Sequence, residues 1–160
     1  MATPVAGALS SPDPAATRAI GRAIGRVAAP GTFVALIGEL GAGKTQLAKG
    51  VAEGLGVRSV VNSPTFVLMN EHEGRLRLHH VDAYRLDDPE EAIAAGLLDD
   101  RQAAGVVVLE WADRLAGWLP PDRLEISLTA AADGSDLREL RWRALGERHA
   151  RLAAEALPAS

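Results

Sequence analysis

The sequence predicts an α/β fold with three layers, α/β/α, around a mixed central sheet, and three observations favour it. An apolar run at residues 32–37 leads into a glycine-rich turn at 38–45 and then into a helical pattern. A second apolar run, at 106–109, is typical of a buried parallel strand. Two further pairs of short apolar stretches flank turn residues, as in antiparallel hairpins. Together these patterns indicate a P-loop NTPase-like arrangement.

The glycine-rich turn fits the phosphate-binding pattern G-x-x-x-x-G-K-[ST] at its fixed positions Gly38, Gly43, Lys44 and Thr45. Its glycines let the backbone curl so that successive N–H groups point inward, and the following helix adds its positive N-terminal end. We expect the Lys44 ammonium between the β- and γ-phosphates and the Thr45 hydroxyl on a phosphate-bound Mg²⁺. The chain is therefore expected to bind a nucleoside triphosphate.

The remaining elements follow from periodicity and turn signals. Helices are predicted from Asp13-Pro14 to just before Pro30-Gly31, at 44–53, at 88–96 and at 147–157. Strands are predicted at 32–37, 57–61, 66–70, 75–81, 106–109, 124–129 and 137–145. The third and fourth of these strands form one hairpin, the last two form another, and 106–109 is expected to be central.

Composition bounds the domain and its surroundings. At 160 residues without cysteine, the chain is expected to be one domain, 1–160, that folds without disulfides, with residues 1–12 flexible. No apolar stretch approaches the roughly 20 residues that span a bilayer, and the N-terminus lacks a secretion signal. A cytoplasmic location is therefore expected. The net charge of −4 argues against nucleic acid as the main direct partner, so any link to RNA should run through partners.

Mg²⁺ held by a threonine and phosphates usually also needs a carboxylate at the end of a nearby apolar strand. Glu110 follows four aliphatic residues in the Walker B form, which favours this role over that of a solvated strand end. Asp82 could orient a water molecule or could simply be a turn residue at the end of its strand. Arg85 could face phosphate or solvent. Spacing alone does not decide between the two roles of either residue. His79 and His80 lack a metal-binding pattern, which favours packed or hydrogen-bonded rings.

Residue counts narrow the class of nucleotide-binding protein. The only lysines are Lys44 and Lys49, so the guanine-reading pattern Asn/Thr-Lys-x-Asp occurs nowhere and a conventional GTPase is not expected. A small-metabolite kinase would need an arginine-bearing lid, and no compact arginine cluster lies between the two acids. An ATP hydrolase is favoured. The alternatives are a binding module in which ATP occupancy drives assembly and hydrolysis is incidental, and a small-metabolite kinase.

Four motifs carry a resemblance to a known family. They are the glycine-rich turn at 38–45, Ser63-Pro64-Thr65-Phe66, His80-Val81-Asp82-Ala83-Tyr84-Arg85-Leu86 and Glu110-Trp111. With them the chain resembles the TsaE family, bacterial P-loop proteins needed for threonylcarbamoyladenosine formation on tRNA. The resemblance covers nearly the whole chain and favours the functional role for Asp82.

The resemblance implies ATP and Mg²⁺ as cofactors and a site built from the motif residues. The implied ATP-binding residues are Glu39, Leu40, Gly41, Ala42, Gly43, Lys44, Thr45, Gln46 and Trp111. The implied catalytic residues are Lys44, Asp82 and Glu110, and Thr45 and Glu110 would serve Mg²⁺. The implied switch loop is Ser63, Pro64 and Thr65, and the remaining motif residues are His80, Tyr84 and Arg85. The family also implies an ATPase that is weak alone and stimulated by the TsaB–TsaD heterodimer. This ATPase would reach tRNA indirectly, through its complex with the heterodimer.

A basic stretch near the C-terminus allows two interpretations. Its arginines are Arg138, Arg141, Arg143, Arg148 and Arg151. They could touch RNA or an acidic partner surface. Strand alternation favours a solvated face instead, with Leu140, Trp142 and Ala144 pointing inward and Arg141 and Arg143 pointing outward.

Overall fold

The computed structural model of the chain describes residues 6–39, 41–59, 61, 69–84, 86, 88–94 and 104–157. Its strands are β1 (Ala6–Ser11), β2 (Thr32–Gly38), β3 (Met69–His72), β4 (Leu78–Asp82), β5 (Val106–Glu110), β6 (Arg123–Ala130) and β7 (Arg138–Leu145). Its helices are α1 (Pro14–Val27), α2 (Lys44–Gly54), α3 (Pro89–Ala94) and α4 (Glu147–Ala156), with a 3₁₀ segment at Ala112–Trp118. Within these residues, no helix is both long and apolar enough to cross a membrane.

In the described part of the chain, seven strands form one sheet in the order β1-β7-β6-β2-β5-β4-β3. β2 is parallel to β5 on one side and to β6 on the other, and β4 is parallel to β5. The pairs β1–β7, β6–β7 and β3–β4 are antiparallel. The predicted mixed sheet, with β5 inside it, is confirmed. The carboxyl ends of β2, β4 and β5 meet at one edge, where ligands bind in sheets of this kind.

Two apolar cores cover the two faces of the sheet. The larger joins alternate residues of the central strands to α1, α2 and α4, and includes Ile24, Leu36, Leu47, Val108 and Leu152. The smaller lies beneath the 3₁₀ segment and includes Phe33, Ala35, Val107, Leu109 and Leu115. The fold therefore has the predicted three layers. In β7 the predicted alternation is also confirmed, because Leu140, Trp142 and Ala144 are buried while Arg141 and Arg143 are exposed.

The helices α1 and α2 touch through glycines. Gly21 and Gly25 of α1 lie against Gly50 and Gly54 of α2, and none of the four positions has room for a side chain. A Cβ at Gly50, for example, would lie 2.0 Å from the carbonyl oxygen of Arg18. The backbone of α1 is therefore held directly against the helix that follows the glycine-rich turn.

Side chains satisfy both ends of α1. Asp13 caps its start, accepting the Ala16 N–H at 2.8 Å, and Pro14 occupies the first turn as predicted. At the other end, the Arg75 guanidinium donates to the carbonyl oxygens of Gly25 at 2.8 Å and Ala28 at 2.9 Å. A cation there also complements the negative end of the helix dipole.

Residues 6–11 correct the expectation that residues 1–12 are flexible. They form β1, which pairs with β7 from Ala6↔Arg143 to Ser11↔Arg138. The small residues of β1 permit this pairing because Gly7 lies flat on the Trp142 indole, where a Cβ would approach the ring within 2.7 Å. Small residues gave no period-two pattern from which a strand could be predicted.

Two further predictions need correction. The described residues of 57–61 form no strand, because Val57 closes α2: its N–H donates to Ala52 O at 3.0 Å while Gly56 adopts a left-handed φ of 77°. β4 begins at Leu78 rather than at Arg75, since Arg75 turns away from the sheet to cap α1. The predicted strand residues 66–68, and the predicted end of α3 at Gly96, lie outside the described residues.

Candidate functional site

The glycine-rich turn curls tightly between β2 and α2. Gly41 and Gly43 have left-handed φ values of 81° and 105°, and the Ala42 N–H donates to Glu39 O at 3.0 Å. α2 begins directly after Gly43, so its unpaired N-terminal N–H groups face the turn. The curled backbone and the helix start together form a cradle whose shape suits the anion binding that the sequence pattern predicts. Leu40 lies outside the described residues.

Lys44 is held inside this cradle. Its Nζ donates to the carbonyl oxygens of Gly38 at 2.5 Å and Glu39 at 2.8 Å, and lies 4.1 Å from the centre of the Trp111 ring. Burial lowers the pKa of Lys44, and the opposing effect of nearby acids, Glu110 first, does not cancel it. The ammonium is therefore positioned at the turn, where a bound phosphate would meet it.

Glu110 joins the end of β5 to the start of α2. The Thr45 hydroxyl donates to its Oε1 at 3.0 Å, and its Oε2 contacts His80 Nε2 at 2.5 Å. The Glu110 side chain is 3% exposed. A hydroxyl and a carboxylate oxygen at this separation are the hard oxygen donors that Mg²⁺ prefers, so these two residues fit a phosphate-bound Mg²⁺.

Asp82 lies beside Glu110 at the same edge of the sheet. The two residues are direct partners in the parallel register of β4 and β5. One oxygen of Asp82 accepts the Tyr84 N–H at 2.9 Å. Burial raises the pKa of Asp82, and the neighbouring Glu110 carboxylate adds to that rise. The structure thus brings the two predicted acids together, near Lys44.

The two adjacent histidines of β4 face opposite sides of the sheet. His80 contacts Glu110, whereas His79 Nδ1 lies 3.6 Å from Glu71 Oε1. Burial lowers the pKa of His79. The expected hydrogen-bonded role is confirmed for His80.

Two aromatic rings border the site. Trp111 has φ 60° and ψ 42°, a left-handed conformation that is uncommon for a residue with a side chain. This turn leads from β5 into the 3₁₀ segment and brings the indole over Lys44. Tyr84, 41% exposed, packs on Trp111 with ring centres 4.8 Å apart, and the Arg114 guanidinium lies 5.8 Å from the Tyr84 ring.

A small pocket of about 90 Å³ opens on the outer side of the turn. Its lining residues are Pro14, Thr17, Gly41, Gly43, Gln46, Asp136 and Arg138. Arg138 reaches the turn itself and donates to Gly41 O at 3.1 Å. Gln46 was predicted to bind the nucleotide, but Thr17, Asp136 and Arg138 were not predicted. No sequence spacing connects these residues with the turn, because the contacts depend on the pairing of distant strands.

The predicted site residues thus fall into two groups. Those that the structure brings around the cradle are Glu39, Gly41, Ala42, Gly43, Lys44, Thr45, Gln46, His80, Asp82, Tyr84, Glu110 and Trp111. The predicted residues Leu40, Ser63, Pro64, Thr65 and Arg85 lie outside the described residues.

Comparisons with known proteins agree with this architecture. The family model described as "Threonylcarbamoyl adenosine biosynthesis protein TsaE" matches residues 11–139. A tRNA threonylcarbamoyladenosine biosynthesis protein TsaE from Bacillus subtilis is 42% identical over 144 residues, with 89% of each chain covered. Its counterpart from Streptomyces coelicolor is 41% identical over 138 residues, which cover 83% of this chain and 93% of the relative. The crystal structure of Bacillus subtilis YdiB superposes with a TM-score of 0.77 at 35% identity, covering 94% of this chain and 93% of that one. The chain belongs to the TsaE family of threonylcarbamoyladenosine biosynthesis proteins.

Proposed function

We propose that the chain is a Mg²⁺-dependent ATP hydrolase that acts in the cytoplasm with the TsaB–TsaD heterodimer during threonylcarbamoyladenosine modification of tRNA. The observation that carries the proposal is the 3.0 Å hydrogen bond between Thr45 and Glu110. It joins the first turn of α2 to the acid at the end of β5, the arrangement that P-loop hydrolases use to hold a metal-bound phosphate. We propose the cytoplasmic location because the family acts in tRNA modification.

ATP binding is supported by the shape and charge of the cradle. The N–H groups of Gly41, Gly43, Lys44 and Thr45 would bind the β- and γ-phosphates, with the Lys44 ammonium between them. The pocket beside Arg138 lies next to the turn and would receive the ribose or the base. Trp111 would border the nucleotide on the side of Lys44, where its ring already lies.

Hydrolysis is supported by the two acids at the end of the parallel strands. Thr45 and Glu110 would hold Mg²⁺, which neutralises developing phosphate charge when it is bound. Asp82 would orient the attacking water and accept its proton. Burial raises the pKa of Asp82, which makes its carboxylate a better proton acceptor.

Partner dependence is supported by the exposure of one side of the site. Tyr84 is 41% exposed although it packs on Trp111, which contacts Lys44. We propose that docking of the heterodimer covers this side, excludes water and raises a weak basal hydrolysis rate. The net charge of −4 favours tRNA contact through the complex rather than through this chain.

The test is ATP hydrolysis by the purified chain with and without its cognate heterodimer. Lys44→Ala is the inactive variant, and Lys49→Ala on the same helix is the matched control. Stimulation by the heterodimer that is lost only with Lys44→Ala would support the proposal. Unchanged hydrolysis with ATP still bound would favour the assembly module, and a phosphorylated acceptor among the products would favour the kinase.

A further inference from the structure

We propose that His80 is a positioning residue that fixes the Glu110 carboxylate for Mg²⁺-nucleotide binding, an inference that rests on the proposed function. His80 and Glu110 lie on neighbouring parallel strands, β4 and β5. In their register His80 pairs with Val108 and Asp82 pairs with Glu110. His80 is therefore the diagonal neighbour of Glu110 on the same sheet face, within reach of its side chain.

His80 and Thr45 contact different oxygens of the Glu110 carboxylate. His80 Nε2 lies 2.5 Å from Oε2, while the Thr45 hydroxyl donates to Oε1 at 3.0 Å. An ionised carboxylate only accepts hydrogen bonds, so His80 Nε2 carries the proton and donates it. With one oxygen held by the ring, rotation of the carboxylate is restricted and the other oxygen stays directed at Thr45.

Burial shows that the ring is placed for this contact rather than for solvent. His80 is 0% exposed, and its Nδ1 is buried without a hydrogen-bond partner in the described part of the chain. An unpaired buried nitrogen destabilises the fold, and an apolar residue at this position would avoid that loss. The polar contact with Glu110 is what distinguishes histidine from such a residue among the described contacts of this position. Partners that orient metal ligands in this way typically change metal affinity or activity about 10- to 100-fold when removed.

The test compares two amides at position 80. In His80→Gln the amide nitrogen is the same number of bonds from Cα as Nε2 and can still donate to Glu110. In His80→Asn it is one bond short. His80→Met fills the volume of the ring without a donor, and provides a second variant that cannot donate to Glu110 if the asparagine protein does not fold. His79→Asn is the matched control, because His79 is a buried neighbour on the opposite face.

The first readout is the affinity for AMP-PNP in EDTA and in saturating Mg²⁺, with the melting temperature of each protein. We expect Mg²⁺ to tighten binding equally in the wild type, His80→Gln and His79→Asn. In His80→Asn and His80→Met the factor by which Mg²⁺ increases the affinity for AMP-PNP should fall about 10- to 100-fold, while the affinity in EDTA stays unchanged. The inference would be overturned by a full Mg²⁺-dependent gain in His80→Asn and His80→Met, or by an equal loss of that gain in His80→Gln.

The second readout is heterodimer-stimulated ATP hydrolysis. We expect KM for Mg²⁺-ATP to rise in His80→Asn and His80→Met as the affinity falls, with kcat lowered as well, and His80→Gln to recover most of both. A uniform loss of affinity in EDTA and Mg²⁺ together with a lower melting temperature would instead indicate core packing and overturn the proposal. If the wild type binds Mg²⁺-nucleotide but never hydrolyses ATP, the proposed function fails while the binding readout still decides the role of His80.

Discussion

Phe33 donates its backbone N–H to Nε2 of His149 at 2.9 Å, a contact between residues 116 positions apart. Because Nε2 accepts, the ring proton lies on Nδ1, which donates to Asp122 at 2.5 Å. His149 is 0% exposed, and burial lowers its pKa despite the Asp122 carboxylate. A neutral ring therefore links β2, α4 and the residue before β6.

We expect the protein to lose stability as the pH falls from about 7.5 to about 5. A histidine with a lowered folded pKa binds more protons when unfolded, so its contribution is complete above the unfolded pKa of 6.5 and decreases below it. His149→Gln should weaken this dependence, because its side-chain oxygen can accept the Phe33 N–H without titrating. Melting temperatures across this pH range provide the measurement.

His72 and His79, whose pKa values burial also lowers, should leave a residual pH dependence of stability in the His149→Gln protein. Parallel curves for the two proteins would contradict the assignment.

Glu110→Gln should separate nucleotide binding from turnover. The amide keeps the size of the side chain but removes the negative charge that serves Mg²⁺, so we expect kcat to fall at least about 100-fold. Affinity for ATP in EDTA should remain. The measurement is heterodimer-stimulated hydrolysis beside nucleotide binding, with the exposed Glu139→Gln as control. Repeated rounds of tRNA modification at the wild-type rate in the Glu110→Gln protein would show that hydrolysis is incidental.

Arg138→Ala should weaken ATP binding about tenfold, the loss expected for a charged hydrogen bond. The guanidinium donates to Gly41 O at 3.1 Å and lines the pocket beside the turn. Since that pocket would receive the ribose or base, inorganic tripolyphosphate should lose less affinity than ATP. Titration calorimetry with both ligands measures this difference. Arg141→Ala, on the same strand but 75% exposed at its side chain, is the control. Equal losses for ATP and tripolyphosphate would argue that Arg138 only shapes the turn.

Gly50→Ala should destabilise the fold by about 1–3 kcal/mol, as overpacking does. The added Cβ would lie 2.0 Å from the Arg18 carbonyl oxygen, and backbone atoms cannot rotate away. The gain of up to about 1 kcal/mol in helix propensity is too small to offset this clash. Gly117→Ala is the control, because nothing lies within 4 Å of a Cβ at that position. Urea denaturation measures both proteins, and equal midpoints would refute the close helix contact.

Local chemistry was predictable from the sequence. The glycine-rich turn is encoded in eight consecutive residues, and its described glycines and the start of α2 give it its shape, so its pattern is readable without a partner strand. The alternation in β7 is equally local, since one face is buried and the other solvated. Glu110 could be predicted because a buried strand that ends in an acid is recognisable by itself.

Long-range pairing was not predictable. β1 pairs with the distant strand β7, where Gly7 lies against Trp142, and Arg138 reaches Gly41 across 97 positions. Spacing alone did not decide whether Asp82 is a functional acid or a turn residue. The parallel register of β4 with β5 places it beside Glu110. The sequence around His80 has no metal-binding pattern and gave no sign of a contact with Glu110. That contact depends on the same register of β4 with β5.

The position of β7 between β1 and β6 has a consequence for synthesis on the ribosome. In the described residues the first strand pairs only with the last, so β1 has no partner until residues 138–145 have emerged. Arg138, which completes the pocket beside the turn, emerges at the same late stage. Pairings of such high sequence separation form slowly because loop closure precedes any gain from contacts. Between the emergence of the glycine-rich turn and that of β7, a nascent chain therefore lacks both the partner of β1 and Arg138.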